Sequence, residues 1–323
     1  MNKKLIIFGG TNIDIVGTPL KENKLELETS NIGDVVISVG GVGKNIAYNL
    51  RLLEGNVNEK SLFYFVTSFG NGPISYLAKN NLEEVKIDYF VSNMIDNAPI
   101  YLAINNNNND LFVSLCDNKA ITSLDKNYFE NDLHLDEIIS NNIEYMVLDG
   151  NLDQETISYL IEKYHSKLKI MVEGVSIFKV IKFKDYLDKI YLLKCNEIEI
   201  KELYKVLNAE EKVNLDSNQI LDQLSSKYKL RNAIVTNKDA GILILDNFKT
   251  YKVDIPQKNL VKEGEIVSSN GIGDSLFAAF IYNYVYLNHS FKESLLEATS
   301  YSKEVLLSKF TYPDSYLNKF LNK

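Results

Sequence analysis

The sequence predicts an α/β protein: a mostly parallel central sheet with helices on both faces, and a small accessory β-sheet beside it. Three observations carry this reading. From about residue 146 onward, short apolar runs alternate with segments of helical periodicity, the pattern of strands joined by crossover helices. Those runs are apolar throughout, as strands buried on both faces are. Two earlier stretches, near residues 15–39 and 98–117, do not fit that scheme and suit a sheet with one wet face.

Taken in order, residues 5–8 are continuously apolar and run into Gly9 and Gly10, a buried strand closed by a tight turn. Leu25 and Leu27 alternate with Glu26 and Glu28, which predicts a strand there, and 35–39 predicts another. A helix follows the glycines at 40–43, with Ile46, Ala47, Leu50 and Leu53 at helical spacing. Residues 62–66 read as a strand, 74–82 as a helix and 85–90 as a short strand. The apolar runs 100–104 and 111–115 form a hairpin whose tip, 105–110, is rich in Asn and Asp, which tolerate positive φ. Strands are predicted at 146–148, 170–172, 190–193 and 233–236. Helices are predicted at 154–164, 178–187, 197–206 and 220–228. Residues 241–245 and 250–253 read as an antiparallel pair near an edge, and helices at 272–286, 292–307 and 315–321 complete the chain.

The 323 residues carry a net charge of −8, with 45% hydrophobic and 24% charged residues, the make-up of a globular protein with a sizeable core. No basic patch stands out, which argues against a nucleic-acid partner, since phosphate neutralisation supplies most of that affinity. Cys116 and Cys195 do not pair at metal-ligand spacing, and His134, His165 and His289 are scattered, so neither a zinc site nor a thiol or serine nucleophile has local support. Free thiols in a reducing compartment are the simpler reading. No apolar run is long enough for a signal peptide or a membrane span, and the run 276–287 is broken by Asn283. A soluble, cytoplasmic protein with no membrane partner is the expectation.

Two glycine-rich motifs carry chemistry. In Gly40-Gly41-Val42-Gly43-Lys44-Asn45, Gly41 and Gly43 would let backbone approach a ligand, or simply turn the chain from strand to helix. Asn45 falls in the first helical turn, and its amide both donates and accepts. In Asn270-Gly271-Ile272-Gly273-Asp274, the amides at the start of a long apolar helix offer an anion site. Asp274 there either caps the helix or takes a proton from an attacking hydroxyl. Neither motif is a Walker loop. Lys44 reads as solvated surface or a partner of the accessory sheet.

Together and in this order, the motifs resemble the signatures of the ribokinase-like, or PfkB, carbohydrate kinases, with Ile272 where that family has alanine. Asn196 and Glu199 match the family's Asn-x-x-Glu motif, and Asp14 matches its aspartate after the first strand. Within the family the segments 9–17, 39–50, 149–151, 175–179 and 193–196 are similar to pseudouridine kinases.

The resemblance implies one ribokinase-like domain over 1–323, with lid segments at about 15–39 and 98–117 inserted in the α/β core. It implies phosphoryl transfer from ATP to the 5′-hydroxyl of a ribonucleoside, pseudouridine foremost, with other nucleosides or sugars such as ribose, adenosine and inosine as the alternative, and a catalytically silent nucleoside sensor as a second. Asp274 would be the general base, and the amides of Gly271, Ile272 and Gly273 would stabilise the transferring group. Asn12, Asp14, Gly41, Gly43, Asn45, Asp149 and Asn151 would hold the acceptor. Asn196, Thr236, Gly241, Gly271 and Gly273 would contact the nucleotide. Asn196 and Glu199 would organise Mg²⁺ through water. Ser268 and Ser269 replace the usual Asp-Thr near a monovalent-cation (K⁺) site. Lys238 interrupts the usual nucleotide loop, and Glu173-Gly174 stands where Asp-Pro is common. The edges of the lid, with Ile100, Leu102 and Leu115, suggest a homodimer.

Overall fold

A computed structural model describes residues 3–20, 25–92, 98–106, 111–117, 119–210, 212–237 and 241–322. The first half runs β1 (Leu5–Phe8), β2 (Asn12–Pro19), β3 (Gly33–Gly40), α1 (Val42–Glu54), β4 (Phe63–Thr67), α2 (Ser75–Glu84), β5 (Tyr89–Val91), β6 (Ile100–Asn105), β7 (Leu111–Asp117) and α3 (Leu135–Ser140). Then follow β8 (Tyr145–Asp149), α4 (Gln154–Tyr164), β9 (Lys169–Glu173), α5 (Ile177–Val180), β10 (Leu192–Asn196), α6 (Glu197–Asn208), α7 (Ser217–Tyr228), β11 (Ala233–Asn237), β12 (Gly241–Asp246), β13 (Lys249–Val253), α8 (Ile272–Ile281), α9 (Phe291–Leu306) and α10 (Asp314–Leu321).

Nine strands make the central sheet, in the order β13-β12-β11-β10-β9-β8-β1-β4-β5. Its seven strands from β11 to β5 are parallel, and β12 and β13 extend one edge antiparallel, as predicted. One apolar core packs α1, α8 and α9 on one face, and a second packs α4, α6 and α7 on the other. The sheet is thus sealed on both sides, which is why its strands read as unbroken apolar runs. Chain order reverses at β1, which lies between β4 and β8. In open α/β sheets that reversal leaves a crevice at the carboxyl ends of the strands, where ligands bind.

The accessory sheet has the order β3-β2-β6-β7, with β2 and β6 parallel and the outer pairs antiparallel. It is drawn from the two predicted segments, and its outer strands keep Val35, Val36, Ile37 and Leu115 exposed.

Four expectations need correction. Residues 25–28 are not a strand: the Asn31 amide closes an exposed loop, its Oδ1 accepting from Glu26 N–H and its Nδ2 donating to the Glu26 carbonyl, and Glu28 turns to φ 61°. The helix predicted at 178–187 is α5 followed by a 3₁₀ segment, Ile181–Tyr186, within which Lys182 donates to the carbonyls of Gly150 and Leu152. The helix predicted at 272–286 is α8 plus a π turn, Tyr282–Tyr286. Between β7 and β8, 3₁₀, π and α turns fill a stretch for which no element is predicted. Most of the hairpin tip, 107–110, lies outside the described residues. No helix among the described residues is long and apolar enough to cross a membrane.

Candidate active site

The crevice at the end of β1 is built around one buried carboxylate. Asp149 ends β8, and its Oδ2 accepts from the amides of Gly10 (2.9 Å) and Gly43 (2.7 Å) while Oδ1 accepts from the amide of Asn151 (2.8 Å). Three turns, after β1, before α1 and after β8, are thereby locked together. The glycines serve this closure. A Cβ on Gly43 would lie 2.6 Å from the Gly9 Cα, and one on Gly41, at φ 102°, would lie 2.3 Å from the Gly10 carbonyl oxygen. Backbone is packed against backbone there, so the close approach read from the motif is to the β1 turn. Asp149 does not line the cavity above, and three amides donate to it. Thr11 is also occupied, sharing a hydrogen bond with Thr67 (2.8 Å).

Above that knot lies a cavity of about 250 Å³ between the central and accessory sheets. Asn12, Asp14, Gly41, Asn45, Asn151 and Lys179 supply its polar lining, and Tyr101, Cys116 and Asp117 close it from the accessory sheet. Asp14 and Asn12 are hydrogen-bonded on β2. Burial raises the Asp14 carboxyl to about 6, with the Lys44 charge and the Asn12 bond pulling the other way. Lys179 donates to Asn151 Oδ1 (2.5 Å). Val175, also in the lining, is held at φ 67°, a strained conformation for a β-branched residue.

Asn45 joins this cavity to Asp274. Its Nδ2 donates to Asp274 Oδ2 (2.8 Å), and its Oδ1 accepts from Thr311 (2.9 Å). Asn49, one turn on, donates to the carbonyls of Asn45 and Thr311 and accepts from Tyr301. Asp274 is buried, and burial raises its carboxyl above the usual range against the charges of Lys194 and Lys44 and the Asn45 bond. It does not cap α8. Gly271 occupies the cap at φ 73°, with no side-chain cap, and the Ser275 amide is the first in the turn to find a backbone acceptor, at Gly271. The amides of Ile272 and Gly273 in this first turn have no intrahelical acceptor.

Lys44 is not solvated surface, one of its two expected states: it is 1% exposed, lying over the Tyr48 ring at 5.4 Å. Its charge is felt at both Asp14 and Asp274.

On the far side of α8, Lys194 lies in the middle of β10, its ammonium 2.9 Å from Glu173 Oε1 and against Gly273, where a Cβ would meet it at 2.6 Å. Burial opposes the Lys194 charge, but Glu173 and Asp274 outweigh it and hold it protonated. Glu173 Oε2 is buried with no hydrogen-bond partner. Asn196 and Glu199 form a reciprocal capping box at the start of α6: Asn196 Oδ1 accepts from the Glu199 amide, and Glu199 accepts from the Asn196 amide and Nδ2. Thr236 is Asn196's partner in the β10–β11 register, and Gly241, at φ 87°, opens β12. Residues 238–240, including Lys238, lie outside the described residues. Among the described residues no three His, Cys, Asp or Glu side chains converge as metal ligands.

Sequence reasoning missed Thr311, Asn49 and Tyr301, which give no local signal. It noted Glu173 only as a departure from the family pattern and Lys194 only within the segment 193–196, and gave neither a role, although a charged residue inside an apolar strand is itself a signal.

A nine-stranded, mostly parallel sheet covered by helices, with a four-stranded sheet beside the crevice where its order reverses, is the ribokinase-like fold. Within that class the chain belongs to the pfkB family of carbohydrate kinases, whose model matches residues 2–315. It is 29% identical to the pseudouridine kinase of Escherichia coli K12 over 199 residues, 62% of this chain and 60% of that kinase. The chain thus matches about three fifths of the length of that relative. It is 22% identical to the guanosine-inosine kinase of Exiguobacterium acetylicum over 94% of this chain and 95% of the relative. Its fold superposes on an Arabidopsis thaliana ribokinase complexed with ribose and ATP, with a TM-score of 0.75 and 19% identity over 100% of both chains.

Proposed function

We propose that the chain transfers the γ-phosphoryl group of ATP to the 5′-hydroxyl of a ribonucleoside, with pseudouridine as the first choice. The observation that carries this is the Asn45–Asp274 bond, which sets a buried carboxylate at the inner end of a cavity lined by Asp14 and Asn12. Similarity to the pseudouridine kinase supports the acceptor.

In this reading Asp14 and Asn12 accept and donate to ribose hydroxyls, and Asn45 orients both acceptor and base. The hydroxyl proton passes to Asp274 as the acceptor oxygen forms its bond to phosphorus and the bond to the leaving ADP oxygen breaks. Burial raises the proton affinity of Asp274, which suits a base, and a positioned base contributes about 10²–10⁴ in rate. The amides of Gly271, Ile272 and Gly273 and the ammonium of Lys194 face the charge that develops on the phosphoryl oxygens. Magnesium bound with ATP would neutralise phosphate charge. Asn196 and Glu199 suit it as holders through water, since their capping bonds leave carboxylate lone pairs free. Thr236 and Gly241 would border the nucleotide, and a K⁺ site near Ser268 and Ser269 is part of the same reading. The accessory sheet acts as a lid, and its exposed Val36, Ile37, Leu102 and Leu115 suit a homodimer.

The guanosine-inosine kinase favours a second acceptor class, the purine nucleosides. The test is a mass-spectrometric assay with ATP, Mg²⁺ and a panel of pseudouridine, uridine, cytidine, adenosine, inosine, guanosine and ribose. Preferential conversion of pseudouridine supports the full reading. Preference for another acceptor replaces the substrate and keeps the mechanism. Binding of a nucleoside with no product from any acceptor favours a silent sensor.

A further inference from the structure

Lys44 is the one buried lysine of the acceptor floor for which the proposed chemistry has no use. Its side chain is 1% exposed, and its ammonium makes no hydrogen bond and no ion pair within 4.0 Å among the described residues. An ammonium in that state is costly unless the surrounding charge requires it. The surrounding charge is negative. The Asp14 carboxylate, on β2, lies against Gly40, and the Asp274 carboxylate, on α8, is bonded to Asn45, one residue on from Lys44; both charges favour the ammonium, while the Tyr48 ring of its own helix lies 5.4 Å away. Its backbone amide is fixed to the Gly10 carbonyl (3.1 Å), and its neighbour Asn45 is fixed to Asp274, so the root of the side chain cannot drift.

Asp14 and Asp274 must both be ionised, one to accept from ribose hydroxyls and the other to take a proton. Two buried carboxylates beside one cavity each favour the neutral form, and each raises the cost of ionising the other. Lys44 is placed to relieve both at once. We infer that Lys44 is a positioning residue whose charge, shared between Asp14 and Asp274, keeps the acceptor anchor and the base ionised together. This rests on the kinase reading given above.

The ammonium is itself near its limit: burial lowers it from the ordinary lysine range to about 8, with Asp14 and Asp274 resisting. Its charge is present below about 8, the range in which the carboxylates need it, and above that range both ionise without it. Other groups nearby do not supply that charge. Lys194 is paired with Glu173, the Tyr48 hydroxyl is pushed far up by burial, and Asp149 accepts from amides.

The experiment is kcat/KM for pseudouridine (or the preferred acceptor of the panel) at saturating Mg·ATP from pH 5.5 to 9.5, for the wild type, K44R and K44M, with thermal unfolding of each. K44M is expected to raise the acceptor KM more than tenfold at pH 6 and to shift the acid limb of kcat/KM to higher pH, its profile rejoining that of the wild type above about pH 8, where both carboxylates ionise without help. K44R, whose guanidinium stays charged, is expected to keep the wild-type acid limb. A K44M acid limb in the wild-type place overturns the inference, as does a K44R acid limb shifted as far as that of K44M. If K44M does not fold, K44Q is read in the same way. No product from any acceptor removes the kinase reading, and this inference with it. An active enzyme with the wrong profiles removes only the inference.

Discussion

On the β1 side of the crevice, the side chains of Asp149, Asn45 and Asn49 are held by others. Asp149 binds three amides, Asn45 spans Asp274 and Thr311, and Asn49 and Tyr301 support Asn45 from behind. On the side proposed for the nucleotide, Thr236 lies near the end of β11 and Gly241 opens β12, and Ser269 and Asn270 are exposed on the run leading into α8. The first region is a buried network joining β1, α1, β8, α8 and residue 311. The second is a rim of strand ends and exposed loop. Chemistry that depends on a carboxylate's position within a fraction of an ångström needs the former. A nucleotide held through its phosphates and a helix N-terminus tolerates the latter.

The sharpest way to break this comparison is at Asp274. D274N is expected to lower kcat by about 10²–10⁴ while leaving the acceptor KM within a fewfold, measured by product formation, with thermal stability unchanged or raised because a buried charge is gone. A loss no larger than that of a donor-rim variant would erase the distinction. Next is the framework itself. D149A strands three amides, each costing about 1–3 kcal/mol, so its melting temperature is expected to fall by about 6 °C or more, and its activity with it. If D149A melts like the wild type, the knot is not what holds the acceptor side.

A smaller effect comes from Asp14, whose carboxyl is raised by burial to about 6. The fold therefore favours its protonated form, so its ionisation costs stability as pH rises from about 4 through 6, and acceptor binding is lost as pH falls through 6. The acceptor Kd by calorimetry is expected to weaken below pH 6, and D14N to bind weakly at every pH while melting a few degrees higher at pH 8. Smallest is the donor rim: T236A is expected to change the KM for ATP less than about tenfold, the loss of one neutral hydrogen bond, with kcat and melting temperature near those of the wild type.

Much of the acceptor side was legible before any coordinates. The motif at 40–45 and the motif at 270–274 lie 225 or more positions apart, yet each announced a strand-to-helix or loop-to-helix turn with its chemistry beside it. The resemblance brought them to one crevice, and Asn45 does meet Asp274. The glycines were read correctly as sites of close approach, but the thing approached is the Gly9–Gly10 turn. Asp149 was read as an acceptor contact, and its carboxylate accepts from three amides beneath the cavity. No pattern of spacing separates those two uses of an aspartate at a strand end. The alternation at 25–28 misled because a two-residue period costs nothing in an exposed loop whose hydrogen bonds are supplied by a single asparagine, Asn31.

What the sequence determined by itself is what short-range chemistry determines. Continuous apolar runs made buried parallel strands, a 3.6-residue period made α1, α4, α6 and α9, and glycine allowed the turns at 41 and 271. What only the tertiary structure decided is the electrical state of the floor. A lysine one residue before Asn45 looks like any other surface lysine in the chain. It becomes a buried counter-charge because β2 brings Asp14 and α8 brings Asp274 to it from distant parts of the sequence, and the burial that follows sets the pKa of all three. Desolvation and Coulomb energy depend on what surrounds a group in space, and that is fixed only when the sheet reverses at β1 and the helices close over it.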